Sequence, residues 1–193
     1  RTGVQTIATT GTGSISVNGT GTLTVASGAT ADIGTSFITG TGTFSVASGG
    51  TLRTANADGI YSSTATGSIR TTTRTFNTGG NYVYNGTGNQ TTGTGLPATV
   101  ASLTVNNTGT NPTNVVTLTN NCTTASVVLT AGKLDLNAKT LTVSSGGTVA
   151  ATAGDFTATA GPVVFAGTAT VSGTVNFPTA TMAGGVNFGS ASN

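Results

Sequence analysis

Few side chains in this chain can move a proton, attack a bond or hold a metal ion. The carboxylates are Asp32, Asp58, Asp135 and Asp155, and there is no His and no Glu. General acid–base catalysis needs a His or a tuned carboxylate at the reacting atom. A glycosidase needs two carboxylates flanking one bond, yet successive aspartates here lie at least 20 positions apart. Polysaccharide lyases built on β-helices use a cluster of Asp, Arg and Lys. Asp58 with Arg53 and Arg70 is the nearest imitation. These gaps point away from an enzyme, and no catalytic or cofactor-binding residue is assigned.

Metal chemistry is equally thin. Cys122 is the only cysteine, so it forms no intrachain disulfide and anchors no metal site without His. In Asn121-Cys122-Thr123 it reads as a small buried residue or as one half of a pairing between chains. Calcium-binding nonapeptides need Asp recurring in Gly-rich turns, and Asp does not recur that way here. Gly19-Thr20-Gly21 and Gly40-Thr41-Gly42 look superficially like phosphate loops. No Gly-Lys-Thr or Gly-Lys-Ser follows them, so they read as strand corners. The Asn-X-Thr sequons at Asn18, Asn85, Asn89 and Asn121 are what a chain rich in Asn and Thr produces by chance.

The elements that would carry any site are strands. Ser14–Val17, Thr22–Val25, Thr43–Val46, Leu103–Val105, Leu134–Leu136, Leu141–Val143 and Thr170-Val171 alternate polar and apolar residues. Period two with β-branched side chains marks half-buried strands. No segment keeps helical apolar spacing, and Gly stands at most of the breaks. An all-β protein with essentially no α-helix is predicted.

An internal repeat then narrows the architecture. The block Gly21-Thr22-Leu23-Thr24-Val25-Ala26-Ser27-Gly28 returns as Gly42-Thr43-Phe44-Ser45-Val46-Ala47-Ser48-Gly49. Leu141–Thr148 is a third, distant copy. The first two copies are offset by about 21 residues, and a period near 20 suits one coil of a β-solenoid. The spacing of 8 from Gly13 to Gly21 also fits a β-sandwich, which stays as the alternative. A sandwich core needs bulkier inward faces than this chain offers: it has no Trp and one Met. A solenoid needs only one or two apolar residues per strand, because the next coil covers each. Leu23, Val25, Phe44, Val46, Leu103, Val105, Leu141 and Val143 are expected to point inward and stack in ladders. The same offset places Asp32 over Arg53 as an ion pair between coils, about 4.8 Å apart in backbone. Asp32 and Asp58, by contrast, are not separated by one repeat and fall out of register. One solenoid domain over residues 1–193 is expected, with a less regular middle at about 53–112.

Charge sets the company such a protein keeps. Charged residues are 5% of the chain, against roughly a quarter in an ordinary domain. Like-charge repulsion that would hold copies apart is therefore weak. A scattered net charge of +2 does not make a nucleic-acid surface. No apolar run reaches the ~18 residues of a membrane span. Disorder, the usual fate of polar Gly-rich chains, is opposed by the alternation and by only four Pro.

The segment Phe76-Asn77-Thr78-Gly79-Gly80-Asn81-Tyr82-Val83-Tyr84-Asn85-Gly86 resembles a motif of large repetitive surface proteins of Bacteroidota. The likeness continues through Thr91–Pro97, Leu103–Asn107, Val116–Thr119 and Leu129–Leu134, covering roughly residues 40 to 145. It implies a secreted, adhesin-like β-solenoid on the cell surface. Family members commonly carry a C-terminal sorting domain, which this sequence lacks. With Arg1 in place of an initiating Met, the chain reads as processed, trimmed or a fragment.

Function is expected to be structural: a subunit of an extracellular filament, fibre or sheath. Neither terminus reads as a cap, which predicts head-to-tail assembly of copies. The alternative is an adhesin segment binding glycans, surfaces or ice. Thr is about a quarter of the residues, and Thr-X-Thr triplets stacked on a flat face would present an ice-like array. The plainer reading is that Thr is a soluble β-former.

Overall fold

A computed structural model describes residues 3–6, 13–63, 66–157 and 161–189. Among them there is no helix; the chain winds into a β-solenoid of about seven coils, roughly 22 residues each. All strand pairs are parallel, each strand pairing with its counterpart in the next coil. The alternation seen in sequence is the reason: one side of each strand faces the axis and the other faces solvent.

The strands form three stacks. On the first lie β3 (Thr22–Val25), the second half of β5 (Phe37–Val46) and of β7 (Ile69–Phe76), then the starts of β10 (Thr99–Asn106), β12 (Cys122–Asp135) and β13 (Leu141–Phe156), and finally β14 (Val163–Phe165) and β16 (Ala180–Met182). The second carries β1 (Gly3–Thr6), β4 (Ala29–Asp32), β6 (Thr51–Thr54), β8 (Asn81–Tyr84), the later parts of β10, β12 and β13, then β15 (Ala169–Ser172) and β17 (Val186–Phe188). The third holds β2 (Ser14–Ser16), the starts of β5 and β7, β9 (Gln90–Thr91), β11 (Val115–Thr117) and the ends of β12 and β13.

The core is a set of ladders running along the axis. On the second stack one inward ladder is Ala31, Leu52, Tyr82, Leu103, Val127, Val149, Val171 and Phe188. All but Phe188 are buried. Burying one such aliphatic or aromatic side chain stabilises by about 1.5–3 kcal/mol. Of the residues expected inside, Val25, Phe44, Val46, Leu103, Val105, Leu141 and Val143 are buried. Leu23 is half-buried and packs against the core from the first rung under Phe44.

The repeated Ala-Ser-Gly corner has a clear cause. Gly28 and Gly49 both sit at positive φ, +72° and +75°, a region L-residues avoid. Gly28 N–H donates to Gly49 O at 3.0 Å, and Gly49 N–H to Gly79 O at 2.8 Å. A Cβ on Gly49 would lie 2.6 Å from Ser27 Oγ. The corners thus stack directly, and glycine is required where they touch.

The middle departs from this order. Asp32 pairs with Arg53, but Arg53 pairs only with the distant Val83, so the second coil of this step is markedly longer than the first. Part of the extra chain, residues 59–60, enters the third stack itself. Ser68 N–H bonds Gly59 O at 2.9 Å, and Ile60 N–H bonds Thr92 O at 3.1 Å. On the third stack, therefore, residues 59–60 sit between the later strand β7 and β9.

Candidate functional site

Three surfaces hold the polar chemistry of the molecule. The first is the charged column on the second stack. Asp32 and Arg53 are register partners, and Arg53 Nε stands 3.4 Å from Asp32 Oδ2. The contact is an ion pair without hydrogen-bond alignment, since Arg53 Nε has no acceptor. Gly34 N–H donates to Asp32 Oδ1 at 3.1 Å, and Asn85 Nδ2 reaches both carboxylate oxygens at 3.5 Å. Asp58, Arg53 and Arg70 make no lyase-like cluster. Arg53 is turned to Asp32, Arg70 lies over the Phe37 ring at 4.1 Å, and Asp58 accepts from Thr66 Oγ1. No group of three or more potential metal-ligating side chains exists among the described residues.

Hydroxyl columns form the second surface. Thr30, Thr51, Asn81, Ser102, Ser126, Thr148, Thr170 and Asn187 occupy one continuous outward column. Ser102 Oγ donates to Asn81 Oδ1 at 2.9 Å and Thr148 Oγ1 to Ser126 Oγ at 3.1 Å. A paired array does form on the first stack, where Thr22, Thr43 and Thr73 run beside Thr24, Ser45 and Thr75. It covers three coils only. Beyond Phe76 the first-stack ladder is interrupted until Thr99.

The third surface is a cleft of about 340 Å³ lined by Lys133, Asp155, Phe156, Asn176, Phe177 and Pro178. Lys133 and Asp155 are register partners on β12 and β13. Asp155 Oδ1 accepts from the N–H of Phe156 at 2.9 Å and of Asn176 at 2.8 Å, while Oδ2 accepts Asn176 Nδ2 at 2.6 Å. The Phe177 ring is clamped between Phe156 and Phe165, with centroids 5.5 and 5.6 Å away. Sequence reasoning missed this cluster, although its signal was present: Lys133, Asp155 and Asn176 follow one another at the spacing of a coil.

Cys122 is buried, and burial pushes its thiol up to about 12. Such a thiol carries little thiolate at neutral pH and is a poor nucleophile. Its Cα partner is Leu141, so it serves as an inward rung.

At the last described coil the ladders are open. Met182 is the rung above Phe165 and Phe188 the rung above Val171. They are the exposed large apolar side chains among the described residues, at 50% and 64% exposure. No protein-family model, curated protein or solved structure matches the chain.

Proposed function

We propose that the protein is a structural subunit of an extracellular filament, fibre or sheath, in which the open coil of one copy stacks on the opposite end of the next. The observation that carries this reading is the position of Met182 and Phe188. Both continue inward ladders whose lower rungs are buried, so each is shaped to be covered by one more coil. The backbone edge of β16 and β17 is likewise unpaired among the described residues, and an open parallel edge templates further strands. Half-buried Leu23 and Ile15 offer apolar rungs at the other end. The contact is heterologous and does not close, so it propagates. Few charges oppose it.

A second reading, a rod-like segment of a cell-surface adhesin, is favoured by the cleft beside Phe177. Sedimentation velocity at micromolar concentration, with electron micrographs of the same sample, separates the two. The filament reading expects concentration-dependent growth of rods, abolished in a Met182→Lys, Phe188→Lys double variant that keeps its β-type circular dichroism. A stable monomer overturns it and leaves the adhesin segment.

A further inference from the structure

We propose that the cleft between β12, β13 and the segment after β15 binds an acidic pyranose, a uronate unit of a glycan. One of its walls is apolar and fixed: Phe156, Phe177 and Pro178. The Phe177 ring is locked by its two phenylalanine neighbours, so it meets a ligand without losing rotamer freedom. Such a wall suits the C–H face of a sugar ring and gives nothing to a small inorganic anion.

The opposite wall is polar and unequally neutralised. Asp155 accepts three N–H bonds, which fix the carboxylate and leave lone-pair capacity for a ligand hydroxyl. Lys133 stands one coil below in the same register, yet no ion pair to Asp155 forms within 4.0 Å. Its ammonium, with three donors, is left to an incoming carboxylate. A volume of about 340 Å³ lies at the small end of ligand pockets, which run from about 300 Å³. Hydroxyls, an apolar ring face and one negative charge together describe a uronic acid residue.

The test is titration of the full isotope-labelled chain with digalacturonate, using maltose and inorganic phosphate as separate probes, at low salt. Expected is saturable binding of digalacturonate with amide shifts confined to Phe156, Asn176 and Phe177, and weaker binding of maltose. Lys133→Gln, a half-exposed position, should melt like the parent while weakening digalacturonate by about tenfold and leaving maltose unchanged. Added salt should weaken the acidic sugar alone. The proposal is overturned by absence of saturable binding, by equal affinity for maltose, by phosphate competing as well as the sugar, or by unchanged digalacturonate affinity in Lys133→Gln.

Discussion

From Cys122 to Ser172 the solenoid is held by its backbone ladders; from Thr54 to Thr113 buried polar side chains add their own bonds to the ladders. In the later region the coils settle at roughly 22 residues from Ser126 onward, and β12 and β13 hold register apart from one shift between Thr124 and Ser126. Most inward rungs are aliphatic residues, with Phe156 over Leu134 and Phe165 over Val143 at the later coils. In the earlier region the coil length changes, and some backbone groups at the corners have no backbone partner. Buried amides take over. Gln90 Nε2 donates to Thr54 O at 3.1 Å and Asn56 O at 3.0 Å, and Gln90 Oε1 accepts Gly86 N–H at 2.7 Å. Asn107 Nδ2 donates to Gly88 O at 2.6 Å, and its Oδ1 accepts Gly109 N–H at 3.0 Å. Tyr82 and Tyr84 send hydroxyls to Asn77 O and Thr92 O, both at 2.8 Å. An irregular coil is tolerated where long polar side chains reach the backbone groups the ladder misses, here Gly86 N–H, Gly88 O and Gly109 N–H.

The largest test of this contrast is Gln90→Ala. It leaves Gly86 N–H without a partner in a buried corner and removes one of two donors from Thr54 O and from Asn56 O, which keep Asn85 N–H and Gly59 N–H, at a cost of about 3 kcal/mol. Chemical denaturation should show that loss. A change below about 1 kcal/mol, the net worth of one ordinary hydrogen bond, would mean that the amide is not the staple.

In the regular region the matching test is Leu129→Ala. Leu129 is fully buried between Val105 and Ala151, and removing it leaves a cavity costing about 3 kcal/mol. Here the loss should come from packing, so Leu129→Met should recover most of it. Failure of Met to recover stability would show a demand for shape that the ladder picture lacks.

Both regions contain acids that burial holds protonated. Cys122 is pushed up to about 12 from an ordinary 9.0. Tyr84 is raised well above 10.0, first by burial and then by the nearby Cys122 and Tyr82. The unfolded chain releases these protons at the ordinary values while the folded chain keeps them. Stability is thus full below about pH 9 and falls above it, by up to about 1.4 kcal/mol per pH unit for each group. Melting curves from pH 8 to 11 should steepen in loss beyond pH 9, and Cys122→Ala should make the decline shallower. An unchanged slope in that variant would remove Cys122 from the account.

The smallest effect belongs to the ion pair. Arg53 and Asp32 keep 32% and 18% side-chain exposure, so solvent screens them. A double-mutant cycle with Asp32→Asn and Arg53→Gln should give a coupling of about 0.5 kcal/mol, vanishing at high salt. A coupling of about 3 kcal/mol, the scale on which buried pairs resist breaking, would make the column a structural anchor in its own right.

How much of this was legible follows the same division. The constant offset between Thr22–Val25 and Thr43–Val46 located the ladders and set Asp32 beside Arg53, because an undisturbed coil length fixes every register that follows. Where the coil length changed, the offset lost its meaning. Nothing near Gln90 in sequence shows that its amide closes a corner with Thr54 and Asn56, 36 and 34 residues away. Arg74 stands on the Phe44 ladder, a place the alternation reserves for apolar residues. Its guanidinium is turned out to the carbonyls of Ile69, Thr71 and Thr72, and burial lowers its pKa. The exposure of Met182 and Phe188 was hidden for another reason. It depends on which rung is the last described one, not on the residues themselves.

The stacking of parallel coils also fixes how the molecule answers to tension. Its interstrand hydrogen bonds lie along the axis, so a pull between the ends loads them a few at a time. Coils then peel singly, like loops drawn from a spool. Each freed coil of roughly 22 residues lengthens the tether by roughly 75 Å at about 3.4 Å per residue. In the stack that coil occupied about 4.8 Å. The longer coil between Arg53 and Val83 marks one longer extension event, an internal ruler in a force–extension trace.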